Sequence, residues 1–227
     1  MANYTIQDIK DLRALTGAGM TDVKKALDEA DGDQQKAVEL IRKRGLAKAA
    51  KREGNATSEG LVAVKVEDTA AGQVATLIEL NAETDFVVKN DKFVALAEEI
   101  LAAAAASGAT DADAALAAPL GTETVADVIA TSAGTMGEKI VLRRVARVEG
   151  PKVTTYLHRT AKDLPPSIGV VVVTDAAGEA VAKDVAQHIA AMAPKYLTRE
   201  DVPAEVVGSQ KMGAASPFHP RRRKKGI

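Results

Sequence analysis

The stretch from Glu79 to Asp91 combines hydroxyl, carboxylate and amide side chains with an aromatic ring, and it reads E-L-N-A-E-T-D-F-V-V-K-N-D. Thr, Asp and Asn side chains accept hydrogen bonds from free backbone N–H groups, so this composition is typical of a strand-to-helix corner. Phe86 directly follows an acid, and the chain contains only three Phe residues. From residue type alone, Phe86 would more often be a core anchor than a functional side chain.

Catalysis and metal binding have little support elsewhere in the chain. There is no cysteine, which excludes disulfides, thiol catalysis and thiolate metal sites. His158, His188 and His219 form no ligand set in sequence, and no carboxylate pair or triad has a credible spacing. We therefore expect no cofactor, no metal and no enzyme activity. The N-terminus lacks a signal-peptide pattern and no apolar run reaches about 20 residues, which predicts a cytoplasmic protein without a membrane partner.

The net charge of −1 hides a basic run from Arg221 to Lys225. Without those five residues the chain has 25 basic against 31 acidic residues, a balance of −6. A mildly acidic body predicts no direct nucleic-acid binding. Six further basic residues lie between Arg42 and Arg52, but no aromatic residue is interleaved for stacking, so a solvated helix end and linker over residues 46–59 is the favoured interpretation.

The elements that must position the corner follow from hydrophobic periodicity. The run Val74–Leu80 predicts a buried strand before the corner, and Phe93–Ala105 predicts a helix after it. Leu61–Glu67 predicts a strand that pairs with the first as a hairpin through a turn at Thr69–Gly72. Further along the chain, we expect helices restarting near Asp111 and Val125, a loop over Gly134–Glu138 and an edge strand over Ile140–Val148.

Three short helical patterns precede this block. The first has Ile6, Ile9, Leu12 and Leu15 on one predicted apolar face, the second starts at Thr21, and the third ends near Gly45. Each is too short to be stable alone, so a compact three-helix domain is predicted. The pattern alone favours a scaffold or partner-binding module.

The last block repeats the order strand, strand, helix, which indicates a duplicated α+β unit. Its elements are Val153–His158, Ile168–Thr174 and a helix with Val181, Val185, Ile189 and Met192 in register. After about Val207 the composition is typical of disorder. We expect apolar side chains over Val170–Val173 to be left exposed there.

Two motifs give the chain a resemblance to a known family. The first motif is L-R-x-x-T-G-x-G-M-x-D-x-K-K-A-L, over Leu12–Leu27, and the second is E-L-N-x-E-T-D-F-V-x-K-N, over Glu79–Asn90. Both are similar to signatures of bacterial elongation factor Ts. The resemblance implies an α+β protein with an N-terminal three-helix domain of the ubiquitin-associated type, followed by two related subdomains of antiparallel sheet and helices.

The resemblance also implies a function and its residues. In the family, an acid–Phe pair is presented to elongation factor Tu, a GTPase, and the Phe wedges between the partner's helices near the nucleotide's Mg²⁺. This role falls to Asp85 and Phe86, with Thr84 and Val87 holding the corner, which reverses the core-anchor preference for Phe86. Further matching contact positions are Arg13, Met20, Lys24, Met136, Gly137 and His158. The implied function is guanine-nucleotide exchange on GDP-bound and nucleotide-free elongation factor Tu.

The predicted domain division is 1–54 for the three-helix domain and linker, 55–148 for the first core subdomain, 149–207 for a partial second subdomain and 208–227 for a basic tail. We expect the resemblance to stop near Val207, which suggests a truncated or altered C-terminus. Two alternatives stay open. One is a partner-binding module without exchange activity, and the other is an RNA-binding protein that uses the basic tail.

Overall fold

The computed structural model describes residues 3–196 and 198–207. It is a mixed α+β fold in which an N-terminal helical region is followed by units of antiparallel sheet and helices, as predicted. The helices are α1 (Ile6–Thr16), α2 (Met20–Glu29), α3 (Gln34–Ala50), α4 (Asp85–Val88), α5 (Asp91–Ser107), α6 (Ala112–Leu116), α7 (Val125–Met136) and α8 (Glu179–Met192). The strands are β1 (Glu59–Thr69), β2 (Gly72–Ala82), β3 (Pro119–Leu120), β4 (Glu123–Thr124), β5 (Ile140–Gly150), β6 (Lys152–His158) and β7 (Ile168–Thr174).

Helices α1 to α3 share a small core of their own. Thr5 and Asp8 form a capping box at the start of α1, and Gly17 ends that helix with a φ of 69°, a left-handed conformation that suits glycine. The buried core residues are Leu12, Ala18, Val23, Ala26, Leu27, Ala30, Ala37 and Ile41. The predicted apolar face of α1 is only partly correct, because Ile6 and Leu15 are each 74% exposed.

Helix α3 does not end at Gly45 as predicted but continues to Ala50, through the first part of the predicted linker. Gly45 packs against Gly134, and Gly134 lies in the last turns of α7 rather than in a loop. Gly137, with a φ of 77°, ends α7. Both errors have one cause: a glycine inside a helix is tolerated where two helices cross with their backbones in contact.

The crossing of α3 and α7 gives a prediction for stability. A Cβ on Gly134 would lie 2.6 Å from the Cα and carbonyl carbon of Gly45. Ala is the better helix former by about 1 kcal/mol, but overpacking against backbone costs about 1–3 kcal/mol or more. We therefore expect Gly134→Ala to lower the free energy of unfolding in urea denaturation. Gly54→Ala is the matched control, since its Cβ meets no heavy atom of the described residues within 4 Å. A stabilised Gly134→Ala would contradict the crossing.

The main sheet has the strand order β1-β2-β5 and is antiparallel throughout. Strands β1 and β2 form the predicted hairpin, with Thr69 opposite Gly72 at the turn, and β5 lies on the other side of β2. Helix α5 covers this sheet with Phe93, Leu96, Ala97 and Ile100, all of which join the main hydrophobic core. The corner residues after β2 are therefore attached to the larger of the two hydrophobic clusters in the described chain.

Strands β6 and β7 form a separate antiparallel pair. Side chains on Val170, Val171 and Val172 are half-buried and Val173 is 40% exposed, so the expected exposure is met mainly at Val173. Helix α8 buries Ala182 and Ala186, while Val181, Val185 and Met192 are exposed. The face predicted from the spacing of the large apolar residues is therefore wrong, because the helix packs through its alanines.

Residues 191–196 and 198–207 belong to a second compact unit, in which the Thr198 N–H donates to the Asp201 carboxylate at 2.9 Å. The basic tail predicted over residues 208–227 lies outside the described residues. In the described part of the chain, no helix combines the length and apolar character needed to cross a membrane.

Candidate functional site

The candidate site is the corner between β2 and α5. Strand β2 ends at Ala82, Thr84 precedes α4 in extended conformation with φ −130° and ψ 156°, and α4 is one turn long. Asn90 then caps α5 by accepting a hydrogen bond from the Lys92 N–H at 2.9 Å. The sequence prediction of a strand-to-helix corner built on polar side chains is confirmed here, with one short helix inserted.

Phe86 is a large apolar side chain, yet it is 72% exposed. Its neighbours point the other way: Val87 packs against the main core, and Val88 is 1% exposed. The Lys89 ammonium lies 4.4 Å from the centroid of the Phe86 ring and 3.8 Å from the Asp85 carboxylate. The corner therefore presents an aromatic ring to solvent, flanked by an acid and a base, on a turn whose other apolar residues are anchored.

Two glutamates fix the backbone beneath Phe86. Glu138 accepts two hydrogen bonds from Thr84, one from its N–H at 2.9 Å and one from its hydroxyl at 2.6 Å. Glu83 accepts from the backbone N–H of Lys139 at 2.6 Å and from the Asn55 amide at 2.8 Å. The Arg52 guanidinium donates to both Glu83 oxygens at 3.1 Å. The corner is thus tied to the segment that joins α7 to β5.

These donors affect the charge of Glu83. The backbone N–H of Lys139, followed by the Asn55 amide and the Arg52 guanidinium, holds the pKa of the Glu83 carboxyl below its ordinary value. A carboxyl whose pKa is lowered by folding stabilises the fold when it is ionised. That contribution is present above the pKa of the unfolded chain and is lost as the pH falls through the lower folded value.

The other site residues predicted from the resemblance lie in three places: beside the corner, on the helical block and at the end of β6. Met136 and Gly137 end α7 directly before Glu138, so the structure brings them together with Thr84. Arg13, Met20 and Lys24 are exposed on α1 and α2, with Met20 59% exposed. The Thr135 hydroxyl donates to the Thr16 carbonyl at 3.3 Å, which joins the end of α1 to α7.

A cavity of about 330 Å³ lies where the end of α1 meets α5 and α7. Its lining residues include Leu15, Gly17, Lys92, Leu96, Thr135 and Met136. The helical block and the core subdomain therefore meet near Met136.

His158 is the predicted site residue that the structure does not bring to the corner. It is exposed at the end of β6, and its Nδ1 lies 3.0 Å from the Tyr156 hydroxyl. No hydrogen bond found within residues 3–196 and 198–207 joins it to the corner. The same range holds no group of His, Cys, Asp and Glu that could bind a metal ion.

Sequence reasoning missed the roles of Glu83 and Glu138. Glu83 stands inside the motif around Phe86, and Glu138 directly follows the Met136–Gly137 pair, so both were adjacent to predicted site residues. The available signal was this adjacency, but the hydrogen bonds between the two segments depend on the fold.

Comparison with known proteins decides the family. A family model described as elongation factor TS matches residues 83–224, which are 142 of the 227 residues. The chain belongs to the elongation factor Ts family. The match begins at Glu83, the first residue of the corner, and extends past Val207. The family match thus reaches further along the chain than the predicted end of the resemblance near Val207.

Individual relatives agree with this membership. The chain is 63% identical over 213 residues to elongation factor Ts from Beutenbergia cavernae. It is 56% identical over 214 residues to elongation factor Ts from an Arthrobacter species (strain FB24), and 55% identical over 214 residues to that of Micrococcus luteus. Each match covers 93% of this chain and 76% of the relative. Membership in the elongation factor Ts family makes this a protein of translation elongation.

Proposed function

We propose that this chain is a guanine-nucleotide exchange factor that binds GDP-bound elongation factor Tu, disturbs its Mg²⁺ site and promotes release of GDP. The observation that carries the proposal is the position of Phe86, a 72% exposed aromatic ring on a turn whose next two residues are anchored in the core. An exposed ring on an anchored turn can enter a partner without first paying for the ordering of a loop. The corner is then a rigid wedge rather than a catalytic group.

The mechanism rests on the electrostatics of a bound nucleotide. Mg²⁺ neutralises the phosphates of a nucleotide and is held by few protein oxygens. Displacing those oxygens by about an ångström weakens the metal, and phosphates that have lost their neutralising charge dissociate more readily. Phe86 would displace the helix beside the metal, and Asp85 would perturb polar contacts there. Thr84 and Val87 would hold the corner in place.

Thermodynamic linkage extends the proposal to both states of the partner. If this chain lowers the affinity of elongation factor Tu for GDP, GDP lowers the affinity of elongation factor Tu for this chain by the same factor. The chain therefore binds nucleotide-free elongation factor Tu more tightly than the GDP-bound form. GTP binding then displaces the chain, and exchange proceeds without any covalent step, so we propose that the protein is not an enzyme.

The remaining predicted residues supply the rest of the binding surface. Met136 and Gly137 lie beside the corner, and Arg13, Met20 and Lys24 extend the surface onto the helical block. His158 would make a second contact, with a domain of elongation factor Tu more distant from the nucleotide. The proposed organisation is a helical domain over 1–54, core subdomains over 55–148 and 149–207, and a tail over 208–227.

The test is exchange at catalytic concentration. Elongation factor Tu loaded with fluorescent GDP is mixed with excess unlabelled GDP. This chain is added at about one hundredth of the molar concentration of elongation factor Tu, and the fall in fluorescence is followed. We expect complete release at a rate proportional to the concentration of the chain, since each molecule acts repeatedly. Binding without acceleration would contradict exchange activity.

The second candidate is a partner-binding module without exchange activity. The exposed Leu15 and Met20 on the helical block favour it, because large exposed apolar side chains are typical of binding surfaces. This module would bind elongation factor Tu with the same affinity whether or not GDP is present. Measurement of both affinities by calorimetry distinguishes the two candidates, since exchange requires them to differ.

A further inference from the structure

The corner and the segment that follows α7 hold each other through a reciprocal pair of carboxylates. Glu83, at the corner, accepts the backbone N–H of Lys139 at 2.6 Å. Glu138, the neighbour of Lys139, accepts the backbone N–H of Thr84 at 2.9 Å. Each segment thus contributes one acidic side chain and one backbone N–H to the other. We call Glu83, Thr84, Glu138 and Lys139 the reciprocal latch.

The two hydrogen bonds between Thr84 and Glu138 fix the orientation of Thr84 as well as its position. Its N–H and its hydroxyl bind different oxygens of the Glu138 carboxylate, at 2.9 and 2.6 Å. Two bonds to the two oxygens of one planar carboxylate fix orientation in a way that a single bond does not, and bonds to an ionised acceptor are stronger than neutral ones. The orientation of Thr84 sets where α4 begins, and Phe86 is the second residue of α4.

Helix α4 cannot set the direction of Phe86 by itself. It has four residues, fewer than an isolated helix needs for stability. Its C-terminal end is anchored by the burial of Val88, which leaves the N-terminal end to be fixed by the latch. The Phe86 ring, being 72% exposed, receives little packing support of its own.

We propose that Glu138 is a positioning residue for nucleotide exchange: through the reciprocal latch it holds Thr84, and thereby aims the Phe86 ring at the partner. This inference rests on the proposed function. Glu83 supports it from the other side, since the Arg52 guanidinium and the Asn55 amide anchor its carboxylate. The latch also joins the corner to Met136 and Gly137, so that both parts of the proposed binding surface move as one.

The test uses variants that keep side-chain shape and remove single bonds. Thr84→Val removes the hydroxyl donor, and Glu138→Gln removes the charge and one acceptor. At saturating concentration we expect each to release fluorescent GDP from elongation factor Tu about tenfold more slowly than the unmodified chain, as expected for loss of a charge-assisted bond. Thr84→Ser keeps the donor and restores the rate. Glu67→Gln, which removes the charge of a partly exposed glutamate paired with Lys65 on β1, is the matched control and leaves the rate unchanged.

A positioning role differs from a structural one in two readouts. If the latch acts through Phe86, Thr84→Val causes no further loss in a Phe86→Ala background. The concentration for half-maximal release stays unchanged, whereas partial unfolding would raise it. A wild-type rate in folded Thr84→Val and Glu138→Gln would overturn the proposal, and so would full additivity with Phe86→Ala.

Amide hydrogen exchange separates failure of the latch from failure of the proposed function. In the free chain we expect the Thr84 amide to be protected, and Glu138→Gln to increase its exchange rate about tenfold or more. If the unmodified chain did not accelerate GDP release, this change would still establish that the latch holds the corner. An equally fast Thr84 amide in both proteins would overturn the latch itself.

Discussion

Phe86→Ala is expected to abolish most of the exchange activity and to leave the fold intact. Truncation of a central aromatic contact at an interface costs about 2–4 kcal/mol, which corresponds to a loss of roughly 30-fold to 1,000-fold. The free energy of unfolding should change by less than about 0.5 kcal/mol, since Phe86 is 72% exposed and its ring makes little packing contact. Stopped-flow release of fluorescent GDP and urea denaturation measure the two quantities on the same preparation.

The control for this variant is an exposed apolar side chain outside the proposed surface. Val181 on α8 is 56% exposed and serves this purpose. Val181→Ala should keep both the rate of GDP release and the stability of the unmodified chain. If Phe86→Ala released GDP at the wild-type rate, the ring would be an ordinary exposed hydrophobic residue and the wedge mechanism would be excluded.

Phe93→Ala is expected to lower the free energy of unfolding strongly, which is the quantity that Phe86→Ala leaves nearly unchanged. Phe93 lies seven residues after Phe86 and is fully buried in the main core beneath the sheet. Large-to-small substitutions of this kind lose transfer free energy and leave a cavity, at a cost of about 3–5 kcal/mol. Since a domain of this size has a stability of about 5–15 kcal/mol, the variant should unfold at much lower urea concentration.

Phe93→Leu separates the loss of volume from the loss of the aromatic ring. Leu is smaller than Phe by about one methylene group, so the cavity left by Phe93→Leu and its cost should be much smaller than for Phe93→Ala. This variant should therefore keep most of the stability and, below its unfolding transition, the full exchange rate. A Phe93→Ala protein as stable as the unmodified chain would contradict the burial of this ring.

The contrast between the two phenylalanines shows how far the sequence was informative. The apolar runs of β1 and β2 and the turn between them predicted the hairpin, and the polar residues between Leu80 and Phe93 predicted the corner. Periodicity also placed Phe93 on a helix that faces the sheet. The exposure of Phe86 could not be predicted from residue type, which favoured burial. Only the resemblance to a family favoured a functional role. The Phe86 side chain is exposed because α4 turns Val87 and Val88 inward instead.

Predictions failed where a residue depends on a distant part of the chain. Ile6, Leu15 and Val181 follow helical apolar spacing, but spacing identifies an apolar face and not what covers it. The sequence predicted a helix end near Gly45 and a loop at Gly134. Instead, each glycine provides space for the other where two helices cross. Glu83 accepts from the backbone N–H of Lys139, and Glu138 accepts from that of Thr84. These bonds join segments that are far apart in the sequence, so no local pattern can indicate them.

Whether the corner acts on the Mg²⁺ of elongation factor Tu is tested most directly by the magnesium dependence of GDP release. Release of fluorescent GDP is measured with and without this chain, in millimolar Mg²⁺ and again after chelation of the metal. We expect a large acceleration in Mg²⁺ and a much smaller one after chelation, because removing the metal already weakens GDP binding in the way that Phe86 would. An acceleration of the same size in both conditions would contradict this mechanism, since the chain would then act on GDP release without involving the metal.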